Sequence, residues 1–160
     1  MSRLLVLADT HIRDAARIPP AVLSAAALVD RVIHCGDIVS PTVIDALRAV
    51  KPVDFVAGNC DPEYDFPGAP ARLMLNLDGV RIGVTHGDGC AGDPQRLLPI
   101  FHPTPVDLVL FGHTHRKADA MLGNVRFINP GSATKPRDSG PTVAIVEVRG
   151  GWIYSEFLDI

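Results

Sequence analysis

Short apolar runs alternate with Ala- and Leu-rich stretches over the first part of the chain, which predicts strands alternating with helices. The two helical stretches each open with a proline, a residue tolerated in the first turn of a helix. The predicted order is strand Arg3–Ala8, helix Pro20–Asp30, strand Arg31–Cys35, helix Pro41–Val50 with Ser40 as its N-cap, and strand Val53–Ala57. Such an order predicts parallel strands joined by right-handed crossovers.

The pattern changes in the second part, where most strands follow one another without a helix between them. Asp78-Gly79 separates two of them and is a strong hairpin signal. The predicted elements are strands Arg72–Leu77 and Val80–Thr85, a short helix within Asp93–Phe101, and strands Asp107–Phe111, Asn124–Ile128, Thr142–Val148 and Trp152–Leu158. We therefore expect an α/β fold of two facing mixed β-sheets flanked by helices, a four-layer αββα sandwich. We expect a single domain over residues 1–160.

Composition and charge exclude several classes of protein. The chain has 47% hydrophobic and 21% charged residues, which is typical of a globular domain. Its net charge is −3 and its basic residues are scattered, so we expect no nucleic-acid binding. No apolar stretch approaches the ~20 residues that span a membrane, and we expect no signal peptide before the first strand. Three cysteines, Cys35, Cys60 and Cys90, fit a reducing compartment better than a disulfide framework, so we expect a cytoplasmic protein.

Polar side chains with metal-binding chemistry directly follow five of the predicted strands. Because ligands of α/β sheets bind beyond the carboxyl ends of the strands, these side chains are expected at one edge. We call them the seven strand-end residues: Asp9 and His11, Asp37, Asn59, His86, and His113 and His115. Carboxylate, imidazole and amide groups without a thiolate cluster suit Mn²⁺, Ni²⁺, Fe, Zn²⁺ or Mg²⁺.

Spacing supports a common site for these residues. Asp9 and His11 are two residues apart, as are His113 and His115, and side chains at i and i+2 of an extended chain point the same way. Glycines stand beside Asp37, Asn59, His86 and His113 and permit close approach of the backbone. Taken alone, Asp9-x-His11, Asp37, Asn59 or His86 is better explained as a turn, a cap or a hydrogen-bonded histidine, whereas Gly112-His113-Thr114-His115 favours neither a metal site nor an ordinary loop. Their ordered occurrence together favours a metal centre.

These motifs resemble the five ordered motifs of the calcineurin-like metallophosphoesterase superfamily. The motifs are Asp9-x-His11, Gly36-Asp37, Gly58-Asn59-Cys60-Asp61, His86-Gly87 and Gly112-His113-x-His115. The short length, the Asn-Cys-Asp variant and Asn129-Pro130-Gly131-Ser132 resemble its small prokaryotic phosphodiesterase branch. The resemblance implies that Asn129–Ser132 lies beside the site, although its composition is that of an ordinary turn.

The resemblance also implies how two metal ions would be held. One ion would take Asp9, His11, Asp37 and His115, and the other Asp37, Asn59, His86 and His113, with Asp37 bridging. Mn²⁺ is expected ahead of the other metals. The residues expected to take part in catalysis are Asp37, Asn59, Cys60, Asp61 and His86.

Two positions depart from the pattern of the wider family. Many members have an aspartate where this chain has Ser40, and a histidine where it has Cys60. That histidine is assigned to stabilising the transition state or to protonating the leaving group. The departure therefore concerns the leaving group and leaves the metal ligands intact.

The expected reaction is phosphoester hydrolysis by a hydroxide that bridges paired metals ~3.5–4 Å apart and attacks phosphorus in line. The branch resemblance favours small phosphodiester substrates, but a phosphomonoesterase would use the same ligands. A protein-binding scaffold is a second alternative, because a retromer subunit of similar size resembles this fold with weakened metal sites. A nucleotide-binding module is less favoured, since the chain has no P-loop and no Gly-x-Gly-x-x-Gly. Family analogy suggests a small homo-oligomer.

Overall fold

The computed structural model describes residues 1–138 and 140–160. Within them, ten strands form two five-stranded sheets accompanied by three α-helices. The strands are β1 Ser2–Leu7, β2 Arg31–His34, β3 Val53–Phe55, β4 Arg72–Leu77, β5 Val80–Thr85, β6 Leu108–Leu110, β7 Lys117–Leu122, β8 Val125–Pro130, β9 Thr142–Arg149 and β10 Trp152–Asp159. The helices are α1 Pro20–Ala27, α2 Pro41–Arg48 and α3 Pro94–Leu97, with short 3-10 turns at Ala15–Arg17 and Leu98–Phe101.

Both sheets are mixed, which confirms the predicted fold class. The first has the order β10-β9-β1-β2-β3 and the second β4-β5-β6-β8-β7. In the first sheet β1, β2 and β3 are parallel, and β9 and β10 are antiparallel additions. In the second, β5, β6 and β8 are parallel. Each sheet therefore brings the carboxyl ends of three parallel strands to one edge.

Side chains along the central strands point alternately to the two faces of the sheet, and this alternation creates the apolar layers. In β1, Leu4 and Val6 pack with Ile82 of β5 and Leu108 of β6 between the two sheets. The intervening residues of β1 face the opposite way, against the buried sides of α1 and α2. On the second sheet, side chains of β6 and β8 pack against α3 and the turn after it. The sequence thus gives one apolar layer between the sheets and one on each outer face.

Strand β7 was missed by the sequence analysis. Four of its six residues are exposed, so it lacks the alternation of apolar and polar positions that marks a half-buried strand. It forms because it pairs antiparallel with β8, from Lys117 opposite Pro130 to Leu122 opposite Val125. Consequently Asn124 lies in the turn rather than in the predicted strand, and β8 continues through Pro130.

The predicted helices were too long. Helix α1 ends at Ala27 rather than Asp30, because the carboxylate of Asp30 accepts the backbone N–H of Arg3 and the chain turns into β2. The stretch Asp93–Phe101 is divided into α3 and a 3-10 turn that contains Pro99, whose ring removes a backbone donor. None of the described helices is long and apolar enough to cross a membrane.

Candidate metal centre

The structure brings the seven strand-end residues together. Loops after β1, β2, β3, β5 and β6 carry them, and backbone hydrogen bonds fasten these loops to one another. The N–H groups of Asp9 and His11 donate to the carbonyls of Gly36 and Asp37, each over 3.0 Å. Between the two sheets, the N–H of His113 donates to Oδ1 of Asp9 over 3.2 Å. The site is therefore built on both sheets and spans the seam between them.

The first cluster consists of Asp9, His11 and His115, which together offer ligand atoms within 4.8 Å of one another. Nε2 of His11 lies 3.3 Å from Nε2 of His115, and Nε2 of His115 lies 3.6 Å from Oδ1 of Asp9. The two imidazole rings are stacked with their centroids 5.0 Å apart. Two nitrogens and a carboxylate oxygen thus face one small volume.

The second cluster consists of Asn59, His86 and His113. Oδ1 of Asn59 lies 3.1 Å from Nε2 of His86 and 3.2 Å from Nδ1 of His113. The two facing ring nitrogens are 3.3 Å apart. An amide oxygen and two nitrogens converge here, with the rings of His86 and His113 arranged edge to face rather than stacked.

Asp37 lies between the two clusters and presents one carboxylate oxygen to each. Its Oδ2 is 3.4 Å from Nε2 of His11, and its Oδ1 is 3.4 Å from Nε2 of His86. Burial opposes ionisation of Asp37, but hydrogen bonds from His86 and from the backbone N–H of Cys60 outweigh it and lower its pKa. The carboxylate is therefore an anion at neutral pH, in the position of a bridging group.

Backbone carbonyls set which nitrogen each buried imidazole offers. Nδ1 of His86 lies 2.9 Å from the carbonyl of Cys35, and Nδ1 of His115 lies 2.7 Å from the carbonyl of Lys135. A carbonyl only accepts, so both Nδ1 atoms carry hydrogen, and Nε2 is the nitrogen that each ring would offer to a metal ion when the ring is neutral. Such orientation of a histidine by its second nitrogen is typical of metal ligands. Neither carbonyl has a side-chain signature, so the sequence alone predicts neither contact.

Asp9 supplies an acceptor that the protein leaves unsatisfied. The residue is fully buried, and its Oδ2 has no hydrogen-bond partner within the described residues. Burial raises the pKa of its carboxyl group to about 7. A buried carboxylate normally needs a partner, and a bound cation would be a suitable one. The donor set and this orphaned oxygen both fit a divalent metal ion.

The side chains of each i, i+2 pair converge as predicted. The predicted reason, an extended backbone, was wrong. Asp9 and His11 have φ of 54° and 46°, and His113 and His115 have φ of 69° and 59°, so neither pair is extended. Asp37 is also left-handed, with φ of 56°. Left-handed residues other than glycine are uncommon and cost roughly 1–3 kcal/mol each, and they concentrate at functional sites. The strained turns aim these side chains.

Close backbone approach explains the glycine next to Asn59. A Cβ atom at Gly58 would overlap Oδ1 of Asp37, so a larger residue would displace the carboxylate that lies between the clusters. Gly36 has φ of 91°, and a Cβ there would lie 2.8 Å from Nδ1 of His86. Both glycines therefore admit the side chains of the site, as the sequence analysis expected.

Asp61 and Cys60 occupy different positions around the site. Oδ1 of Asp61 accepts the N–H groups of Ile38 and Val39, and Oδ2 accepts that of Gly58. Asp61 thus ties the loop after β2 to the loop after β3. Cys60 is exposed, and its thiol lies 3.5 Å from Nδ2 of Asn59. Burial, followed by the charge of Asp37, raises the pKa of this thiol to about 11.

The segment Asn129–Ser132 lies beneath the site, which its resemblance to the family predicted. Nδ2 of Asn129 donates to the carbonyl of Gly112 over 2.8 Å, next to His113. The hydroxyl of Ser132 donates to the carbonyl of Asp9 over 2.8 Å, and it accepts the N–H of Lys135. The segment is therefore more than an ordinary turn, because it supports loops that carry both clusters.

The chain is similar to several known proteins. A family model described as the calcineurin-like phosphoesterase superfamily domain matches residues 2–151. The chain is 34% identical over 155 residues to a probable metallophosphoesterase of Methanothermobacter thermautotrophicus, covering 96% of this chain and 90% of that protein. It is 30% identical over 152 residues to vacuolar protein sorting-associated protein 29 of Schizosaccharomyces pombe, covering 90% of this chain and 76% of that protein.

The fold is also similar to that of a solved archaeal phosphodiesterase, with a TM-score of 0.75 and 24% sequence identity. The alignment covers 98% of this chain and 99% of that one. Since an archaeal phosphodiesterase and a sorting protein are both similar to this chain, the fold does not choose between their activities.

Proposed function

Because this chain belongs to the calcineurin-like phosphoesterase superfamily, we propose that it is a hydrolase that cleaves phosphodiesters with two divalent metal ions. The observation that carries the proposal is the position of Asp37, whose two carboxylate oxygens face His11 and His86 in different clusters. A single buried carboxylate shared by two groups of imidazole and oxygen donors can hold two metal ions next to each other, as two-metal hydrolysis needs.

Each cluster would hold one ion, and Asp37 would belong to both. The first ion would be held by Asp9, His11, Asp37 and His115, and the second by Asp37, Asn59, His86 and His113. When bound, the ions would supply an activated hydroxide and neutralise negative charge on the phosphoryl oxygens. Mn²⁺ is our first choice because the site combines carboxylate and amide oxygens with imidazole nitrogens. Ni²⁺, Fe, Zn²⁺ and Mg²⁺ are also compatible with these ligands.

The protein residues orient this chemistry in two ways. The carbonyls of Cys35 and Lys135 fix two imidazole rings, which keeps their Nε2 atoms directed into the site. Asp61 holds the loops of Asp37 and Asn59 against each other through three backbone N–H groups, so we assign it a positioning role. Among the residues around the site, Cys60 occupies the place of the family's histidine, and its raised pKa makes it a weak acid.

A diester preference follows from the branch that the sequence resembles, and Cys60 bears on which leaving groups the protein can expel. A leaving group that needs protonation gains about 10²–10⁴-fold from a good general acid, which a thiol with a pKa of about 11 would not provide. Both p-nitrophenyl substrates avoid this requirement, because p-nitrophenolate leaves without a proton. On the branch resemblance we expect bis-p-nitrophenyl phosphate to be turned over faster than p-nitrophenyl phosphate.

The test compares these two substrates with protein stripped by chelator and reloaded with Mn²⁺, Ni²⁺, Zn²⁺ or Mg²⁺. The expected result is hydrolysis only after metal is restored, with the diester preferred. A preference for the monoester would indicate that the protein is a phosphomonoesterase with the same ligands and not a phosphodiesterase. Equal activity in stripped and reloaded protein would contradict metal dependence altogether.

A protein-binding scaffold is the second candidate, favoured by the similarity to a vacuolar protein sorting-associated protein. That role would not require catalytic turnover, although it is compatible with bound metal. The two functions separate when metal occupancy and turnover are measured on the same sample. Full metal occupancy without hydrolysis of any phosphoester in a broad panel would support the scaffold.

Size-exclusion chromatography with light scattering tests our expectation of a small homo-oligomer. All three cysteines are free, which fits the reducing cytoplasm that the sequence analysis proposed. Neither property is needed for the site, since all seven strand-end residues come from one chain.

A further inference from the structure

A cavity opens next to the first cluster and shares His11 with it. It has a volume of about 300 Å³, at the lower end of the range for small-molecule sites. Three cations contribute to its wall, namely Arg13, Arg17 and Lys135, together with Thr134. Three positive side chains around one cavity stand out in a chain whose net charge is −3.

The three cations have no acidic partners within the part of the chain that the structure describes. Several other arginines do have such partners, as Arg116 does with Asp138 over 2.7 Å and Arg126 with Asp119. The acidic residue nearest in sequence to Arg13 is Asp14, and its carboxylate instead accepts the backbone N–H of Ala16. The positive charge of this cavity is therefore not neutralised by ion pairs.

Each of the three cationic side chains extends from a backbone segment that hydrogen bonds or buried neighbours hold in place. The N–H of Lys135 donates to the Ser132 hydroxyl over 2.8 Å, and its carbonyl accepts from Nδ1 of His115 over 2.7 Å. Arg17 ends the 3-10 turn that Asp14 caps. On either side of the two arginines, Ile12 and Ile18 are buried in the apolar core. The cavity thus has a fixed position relative to the first cluster.

We propose that this cavity is a second anion subsite, which binds a further phosphate group of a phosphodiester whose scissile phosphate lies over the two clusters. The inference rests on the proposed diesterase function and specifies its substrate class: diesters that carry a second phosphate. Lys and Arg side chains recognise phosphate oxygens through charge-assisted hydrogen bonds. Because His11 lines the cavity and belongs to the first cluster, the second phosphate would lie on the His11 side of the site.

The cavity on the opposite side is less suited to this role. It is lined by His113, Thr114, Arg116 and Arg137, and one of its two arginines is paired with Asp138. Its volume, about 280 Å³, is similar, so size does not distinguish the two cavities. The number of unpaired cations does distinguish them. It predicts that the substrate lies across the site with its second phosphate on the His11 side.

The test uses two substrates with the same leaving group, thymidine 5′-(p-nitrophenyl phosphate) and the same compound phosphorylated at the 3′ oxygen. With metal-loaded protein we expect the 3′-phosphorylated substrate to have a KM lower by about tenfold, since exposed charge pairs are individually weak and three act together. The ratio should approach one at about 0.5 M salt, where exposed charges are screened.

Arg13→Gln, Arg17→Gln and Lys135→Gln are tested singly and combined. The combined variant should lose the preference and keep its kcat for the unphosphorylated diester within about twofold, since the three side chains are exposed. Arg116→Gln, on the opposite rim, and Arg149→Gln, at the far end of β9, make the same charge change and should keep the preference. Equal KM values for the two substrates in the native protein would overturn the proposal, as would a preference that survives in the combined variant.

A binding measurement separates failure of the subsite from failure of the proposed function. Calorimetry compares thymidine 3′,5′-bisphosphate with thymidine 5′-phosphate on the metal-loaded protein. Tighter binding of the bisphosphate, lost in the combined variant, supports the subsite even if neither diester is hydrolysed. Equal affinity for the two nucleotides contradicts the subsite even if diester hydrolysis is rapid.

Discussion

Nε2 of His11 and Nε2 of His115 face each other over 3.3 Å. Burial lowers the pKa of both rings, so both are neutral at pH 7. Since Nδ1 of His115 donates its hydrogen bond to the carbonyl of Lys135, the lone pair of the neutral ring is on Nε2 and points at His11. Two neutral imidazoles directed in this way share at most one hydrogen, whereas a divalent cation would accept a lone pair from each.

Asp37→Ala is expected to remove both metal ions, because its two oxygens face different clusters. His115→Ala and Asn59→Ala should each weaken one ion, since each lies in one cluster only. Elemental analysis of dialysed proteins measures the difference. Asp45→Ala, at an exposed position of α2, is the matched control and should keep both ions. Retention of two ions and near-normal turnover in Asp37→Ala would show that this carboxylate does not bridge.

Metal affinity should rise with pH up to about 7 because of Asp9. Burial raises the pKa of this carboxyl group to about 7, so below that pH a proton occupies the group that a metal ion needs. One competing proton makes the apparent affinity fall about tenfold for each pH unit below that pKa. Calorimetry in buffers of different ionisation enthalpy measures the protons released.

At pH 6 we expect Asp9 to release close to one proton on metal binding, in addition to those released by the histidines. The Asp9→Asn variant should release one proton fewer, at the cost of weaker binding. An identical proton release from the native protein and Asp9→Asn would show that Asp9 is already ionised and that burial does not control it.

Cys60→Ala should change turnover of bis-p-nitrophenyl phosphate by less than about tenfold, which is under ~1.4 kcal/mol in the barrier. The reason is that the thiol has a pKa of about 11 and p-nitrophenolate leaves without a proton. Cys60→His should raise turnover of diesters with alkoxide leaving groups more than that of the nitrophenyl diester. Both variants need matched metal occupancy, because Cys60 adjoins Asn59. A thousandfold loss in Cys60→Ala with both ions bound would make the cysteine essential.

Ser132→Ala should destabilise the protein and weaken metal binding at the first cluster. The Ser132 hydroxyl is buried between the carbonyl of Asp9 and the N–H of Lys135, and leaving these groups unpaired costs about 1–3 kcal/mol. Urea unfolding and Mn²⁺ titration measure the two effects. Ser24→Ala, at an exposed position of α1, is the control. If stability, metal affinity and KM for the diesters all stay unchanged, Asn129–Ser132 is an ordinary turn.

The sequence predicted the seven strand-end residues because their chemistry resides in side chains and their order follows the strands. It could not predict which ring nitrogen His86 and His115 offer, since the carbonyls of Cys35 and Lys135 decide this and any residue supplies a carbonyl. The left-handed backbone of Asp9 was also beyond reach, because strain of this kind is imposed by the packing around a loop.

The secondary structure likewise divides into elements that local sequence predicts and elements that depend on tertiary contacts. Strands with buried faces, such as β5, were predicted with correct ends because Asp78-Gly79 fixes the turn and apolar residues follow. The exposed edge strand β7 had no such pattern and exists through its pairing with β8. The positioning role of Asp61 likewise depends on backbone N–H groups that come together only in three dimensions.

The most direct measurement is a titration of stripped protein with Mn²⁺ in which bound metal and hydrolysis of bis-p-nitrophenyl phosphate are followed in the same sample. The facing oxygens of Asp37 predict that two ions bind to each chain and that turnover rises as the second site fills. Turnover that is complete in the stripped protein, or that reaches its maximum with one ion bound, would contradict a dinuclear phosphodiesterase.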